Sequence, residues 1–231
     1  MKSHIIPEFY YKRVYDDKYH RFVKMSTNIN EKISYAQKGT REKMLCSECE
    51  QKLSIWEKYT SNLFYGNSLT LTKSIYGKMI TWHGVDYKKF KLFQLSVIWR
   101  ASVAEHDFFR NVSLGPHEEK IRLMIVNEDP GSYYQYGAFL IFLKDQNQPT
   151  DKMIIQPEEM RLETFRAYQF VFGSHLWMYV ISSHNEKFPA GFSFLQENGD
   201  LNVLVKDMIE IEYMRDFIKK IYRTGKLSKT R

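Results

Sequence analysis

Two thiols separated by two residues carry the clearest chemical signal in this chain. Cys46 and Cys49 are its only cysteines, and a Cys-x-x-Cys turn places two sulfurs where they can fill two corners of a tetrahedral zinc site. A closed structural site wants four ligands, and His4 and His20 are the candidates to complete it. Two other readings compete. The thiols can be a reduced pair at a helix start, where the helix dipole lowers thiol pKa. A thioredoxin-like redox pair is the weaker option, because no βαβ pattern precedes it. His4 sits in Ser3-His4-Ile5-Ile6-Pro7-Glu8-Phe9, and its plain alternative is a structural ring bonded to a backbone carbonyl. His106, His117, His175 and His184 are scattered, and none has the His-x-x-x-His spacing that puts two ligands on one helix face. Glu158-Glu159 and Glu210/Glu212 read as surface charge.

The elements that must hold these residues are legible in part. Residues 1–45 lack strong periodicity, with Gly39 as punctuation. From Cys46 the pattern turns helical, with Leu53, Trp56, Leu63 and Phe64 on one stripe. Residues 66–78 read as a loop. Residues 87–106 predict a strong helix through Phe90, Phe93, Val97, Ala101 and Ala104. A further helix starts at Gly115-Pro116, with proline at its entry, and runs through Ile121, Ile125 and Val126. After Asp129-Pro130-Gly131 the composition changes to strand. Runs at 136–143, 153–156, 165–172, 175–182, 192–196 and 201–205 are rich in Phe, Tyr, Val, Leu and Ile. Gly173-Ser174 predicts a tight hairpin and Asn198-Gly199 a turn. Residues 212–223 form a closing helix, with Met214, Phe217, Ile218 and Ile221 inward and Gly225 past its end. The expected fold class is α+β: a small N-terminal element over residues 1–65, then a unit over 66–231 made of a helical middle and an antiparallel sheet closed by the C-terminal helix.

Length and charge narrow the function classes. At 231 residues with 43% apolar content, the chain can bury a core without covalent staples. The N-terminus shows no signal-peptide h-region and no stretch reaches the length of a membrane helix, so the expected location is a reducing cytoplasm. Net charge is +7 and lies at the ends. Residues 1–60 hold 12 basic against 8 acidic groups, residues 61–212 hold 15 against 18, and residues 213–231 hold 7 against 1. Lys219, Lys220, Arg223 and Lys226 therefore form a basic end able to meet phosphate backbones, or a solvated tail. No phosphate-binding glycine loop, dinucleotide fingerprint or nucleophile elbow is present.

The run Ser3-His4-Ile5-Ile6-Pro7-Glu8-Phe9 recurs with a second one, from Gln37-Lys38-Gly39 through Leu45-Cys46-Ser47-Glu48-Cys49-Glu50 to Trp56-Glu57, in a family of bacterial proteins that this chain resembles. Trp99-Arg100-Ala101-Ser102 looks like a third shared stretch. That family is similar to HNH, or His-Me finger, nucleases. The resemblance implies a treble-clef-like N-terminal module in which His4 matches the general base, Asn28 or Asn30 the later metal ligand, and Cys46 and Cys49 the second knuckle of a structural Zn²⁺ site. It implies Mg²⁺ or Mn²⁺ as the catalytic ion. Two departures stand out: Ser3 occupies the place of the metal-binding Asp, and no first knuckle precedes it. If His4 binds zinc it is not a free base. The implied function is a nucleic-acid-directed protein acting on DNA or RNA. It is either a metal-dependent phosphodiesterase serving in defence against phage, or a catalytically inactive binding subunit that docks a protein partner.

Overall fold

The structure is a computed structural model that describes residues 2–16, 18–24, 34–37, 39–66, 70–73, 78–144, 154–183, 188 and 190–223. It is an α+β fold. The element order is β1 (Ser3–His4), α1 (Glu8–Val14), β2 (Phe22–Lys24), β3 (Ser34–Ala36), β4 (Arg41–Glu42), α2 (Ser47–Tyr65), β5 (Thr70–Lys73), β6 (Met79–His83), α3 (Tyr87–Val103), α4 (His117–Val126), β7 (Ala138–Lys144), β8 (Ile154–Leu162), β9 (Phe165–Phe172), β10 (His175–Val180), β11 (Leu201–Asp207) and α5 (Glu212–Arg223). Among the described residues no helix is long and apolar enough to cross a membrane.

Local chemistry sets the helices. Cys46 caps α2, its sulfur accepting the Cys49 N–H at 3.4 Å, and Glu48 and Glu50 complement the dipole in the first turn. Leu53, Trp56, Thr60 and Leu63 form its buried stripe. Asp86 caps α3 by accepting the Lys89 N–H at 3.0 Å. From Phe90 to Ile98 every residue of α3 is buried, so this helix is the spine on which α2 and α4 lie. Its end, Val103, falls short of the expected residue 106 because the chain turns into a 3-10 turn, Asp107–Phe109, capped by His106.

Seven strands form the main sheet in the order β5-β6-β11-β7-β10-β9-β8. The 173–174 hairpin joins β9 to β10 with His175 opposite Phe172, and Gly173 supplies the positive φ of 65° that the turn needs. The sheet is mostly antiparallel, as expected, with one parallel step where β11 runs beside β7. The alternation of apolar residues is the same for either direction, so a sequence pattern does not reveal it. Two strands, β5 and β6, occupy and follow the stretch expected as loop, and residues 191–193 form a 3-10 turn in place of a strand. Pro157 is tolerated because β8 is an edge strand and bulges there, between Ile155 and Glu158.

Alternation gives the sheet two faces. Leu140, Phe170, Phe172, Trp177 and Tyr179 pack toward the helices, in one cluster with Ile5, Tyr10, Leu53, Phe93 and Ile121. That cluster takes residues from both sides of position 65. Tyr10 lies edge-on to Phe172 at 4.5 Å between centroids. Ile141, Val171 and Leu176 point the other way, under Met208 and Met214. The closing helix stands where the sequence pattern predicts it, with Met214 buried and Ile218 half-buried against this second cluster. The side chains of Phe217 and Ile221 lie outside the described residues.

Candidate functional site around His4

A short ladder places His4. In β1 and β4, Ser3 faces Glu42 and His4 faces Arg41. Gly39 allows the approach to this ladder: a Cβ there would meet the Tyr11 ring at 2.5 Å. The Tyr11 hydroxyl accepts the Thr40 N–H at 3.3 Å. Glu42 accepts the N–H groups of Glu105 and His106 at 2.9 and 2.8 Å, tying β4 to the end of α3.

His4 is gripped from two sides. Arg41 donates from Nε to His4 Nε2 at 2.7 Å, which makes that nitrogen an acceptor and leaves the ring proton on Nδ1. Arg100, 2% exposed at its side chain, donates from Nη1 to the His4 carbonyl at 2.7 Å and to Glu57 Oε1 at 2.7 Å. Burial and the Arg41 charge push the His4 pKa below its ordinary value. Glu8 and Glu50 oppose that shift. Glu8 also meets Arg41 at 3.8 Å. Glu50, the residue after Cys49 in the first turn of α2, is thus felt at the histidine.

The atoms around this centre are unevenly satisfied. Ser3 is fully buried and its Oγ has no hydrogen-bond partner among the described residues; Glu50 Oε1 is likewise closed off and without a partner among them. Unpaired buried oxygens of this kind call for a donor or a cation. Among the described residues the donor set nevertheless lacks what a one-metal hydrolytic site uses: a hydroxyl stands where a hard divalent ion wants a carboxylate, and His4 Nε2 is already engaged. Among the described residues no group of three or more His, Cys, Asp and Glu side chains could hold a metal.

The other expected residues separate. Cys46 is exposed and Cys49 half-buried, both free thiols. The Cys49 N–H lowers the Cys46 pKa, while the thiol contact with Cys46 raises that of Cys49. His20 is exposed and sits with φ of 49° in the tight turn closed by Asp16. The Asp16 carboxylate accepts the N–H groups of Lys18 and Arg21 at 3.0 and 3.1 Å, so it shapes the loop. Asn28 and Asn30 lie outside the described residues, as does Lys226. Lys219 is exposed on α5 and pairs with Asp216 at 3.6 Å. Lys220 and Arg223 lie on the same helix, and their side chains are outside the described residues.

Sequence reasoning misses Arg41 as part of this centre, and Glu50 and Glu57 are visible there only as members of the run from Gln37 to Glu57. Arg100 was visible only as a member of the Trp99-Arg100-Ala101-Ser102 run. Arg41 gave no signal, because only the β1–β4 register sets it against His4. Comparisons with protein-family models, with curated proteins and with solved structures return no match for this chain.

Proposed function

We propose that the chain is a nucleic-acid-directed binding protein of HNH-like descent that does not cut by itself. The observation that carries this reading is the 2.7 Å hydrogen bond from Arg41 Nε to His4 Nε2. A general base must offer its lone pair to a water, and here an arginine already occupies it. Ser3 in place of a carboxylate acts in the same direction. Support for the HNH-like descent is the Ser3–Phe9 and Cys46–Glu50 resemblance, together with the setting of Cys46 as the cap and Cys49 in the first turn of a helix that follows a two-stranded ladder. Support for a polyanionic partner is the basic excess at both ends of the chain.

The test combines a plasmid-nicking assay in Mg²⁺ and in Mn²⁺ with a salt series of DNA-binding measurements. The expected result is no cleavage above buffer, with binding that weakens as salt rises. Truncation after Tyr222 should weaken binding and flatten the log–log slope by roughly one unit for each phosphate that is no longer neutralised. Robust cleavage that disappears in His4→Ala overturns the silent-site reading. Absence of salt-dependent binding overturns the polyanion.

A further inference from the structure

The face of the sheet turned away from α2, α3 and α4 is covered by two clusters of the described residues. Met208 and Met214 cover Ile141, Leu143 and Leu176, and Phe194 with Phe188 and Ala190 covers Phe139 and Val180. Met178 touches both clusters. Beside it, between the strands and the start of α5, lies a groove of about 470 Å³. Ile141, Met160, Leu176 and Met178 give it an apolar floor.

Two independent features point to what would fill it. Gln169 lines the groove on the same face as its cross-strand neighbours Met178 and Glu158, is 6% exposed, and its side-chain amide takes part in no hydrogen bond with a described residue. A buried amide offers one acceptor and two donors, which match a peptide bond. The rim is acidic. Glu158, Glu210 and Glu212 line it and form no ion pair among the described residues, while Asp216 is held by Lys219 at 3.6 Å. Lys206 is the cation on the rim. This local negative charge stands out in a chain of net +7. It repels phosphates and attracts cations, so the groove is no extension of a nucleic-acid surface.

We propose that this groove docks an extended, lysine- or arginine-bearing segment of a protein partner. Basic side chains lay their methylene stems on Met160 and Met178 and reach the rim carboxylates with their heads, while Gln169 holds the main chain between them. Docking here is independent of DNA binding, and each can fail without the other.

The test uses the full chain and two labelled ten-residue peptides, one alternating Lys with Leu and the other Glu with Leu, read by fluorescence anisotropy. The expected result is binding of the lysine peptide alone. The triple variant Glu158→Lys, Glu210→Lys, Glu212→Lys should weaken it about tenfold or more, with the melting transition and DNA binding retained. Gln169→Ala should weaken it without changing its salt dependence. Equal binding of both peptides, or an unaffected triple variant, overturns the proposal. A chain truncated after Arg223 that binds much more tightly than the full chain also overturns it, because the occupant is then the protein's own basic tail.

Discussion

Arg100 reaches across 96 residues of sequence to hold the main chain of His4, its Nη1 donating to the His4 carbonyl at 2.7 Å. The same guanidinium donates to Glu57 at 2.7 Å and from Nε to the Ser96 carbonyl at 3.1 Å. One buried side chain thus fastens β1 to both α2 and α3. The orientation of His4 is a property of the helical core as much as of its own strand.

Removing that fastener leaves a carboxylate and a carbonyl without their donor. Arg100→Ala is expected to destabilise the protein by about 3–5 kcal/mol, the usual cost of breaking a buried pair from one side. Urea unfolding checks it, through a lowered midpoint at an unchanged slope. Arg100→Lys should recover only part, since a single ammonium does not reproduce the fork. A loss below about 1 kcal/mol would place this pair with exposed ones.

Arg41 adds to burial in lowering the proton affinity of His4. Burial, then Arg41, lowers the histidine's pKa from 6.5. In Arg41→Ala the donor on Nε2 and a positive charge disappear together, so the pKa should rise toward its ordinary value. An NMR titration of the His4 ring protons measures it directly. An unmoved titration would mean that Arg41 does not control the ring, and the silent-site reading would lose its carrier.

His175 makes the core acid-sensitive. Its ring stacks on Phe64 at 4.6 Å and meets Phe142 at 4.9 Å, and burial pushes its pKa down to about 3. The folded state holds it neutral, whereas the unfolded chain takes up a proton near 6.5. Its contribution is therefore complete above about pH 6.5 and falls away as the pH drops toward about 3, by an amount on the order of a few kcal/mol. His175→Phe should flatten the fall in stability across that window, measured by urea midpoints at several pH values. A variant that falls as steeply as the parent assigns acid sensitivity to other groups.

Much of this architecture can be read from residue order, for reasons that differ by element. α2, α3 and α5 carry long apolar patterns, such as Phe90, Phe93, Val97 and Ala101 in α3, and their cores follow from that. The β9–β10 hairpin announces itself through Gly173-Ser174. The short ladder of β1 and β4 does not, because two-residue strands have no period to detect. The parallel step between β7 and β11 is silent in sequence, because apolar alternation carries no strand direction. The site shows the same division. His4 and Cys46-x-x-Cys49 are visible as residue types, and the helix start at Cys46 is as expected. Arg41, Glu50 and Glu57 acquire meaning only when register and helix packing bring them to the histidine.

Cys46 allows the thiol readings to be separated. Its sulfur is exposed, accepts the Cys49 N–H, and is more acidic than an ordinary thiol, while Cys49 is less acidic. The capping reading makes two demands. Iodoacetamide should modify Cys46 faster than Cys49 near neutral pH, because the thiolate is the nucleophile, and peptide mapping at short times shows the order. Cys46→Ser should keep α2 intact, since serine is itself a favoured N-cap whose oxygen accepts the same N–H. The zinc reading demands the opposite: slow modification of both thiols, metal co-purifying with the protein, and severe destabilisation in Cys46→Ser because metal binding is folding energy. Elemental analysis of protein purified without chelator, set beside the melting curve of Cys46→Ser, gives one answer or the other. A metal-free protein whose Cys46→Ser variant melts with the parent establishes the cysteines as a helix cap. A zinc-bearing protein that unfolds on the same substitution shows that ligands outside the described residues complete the site, and the cap is then only the shape the turn takes without its ion.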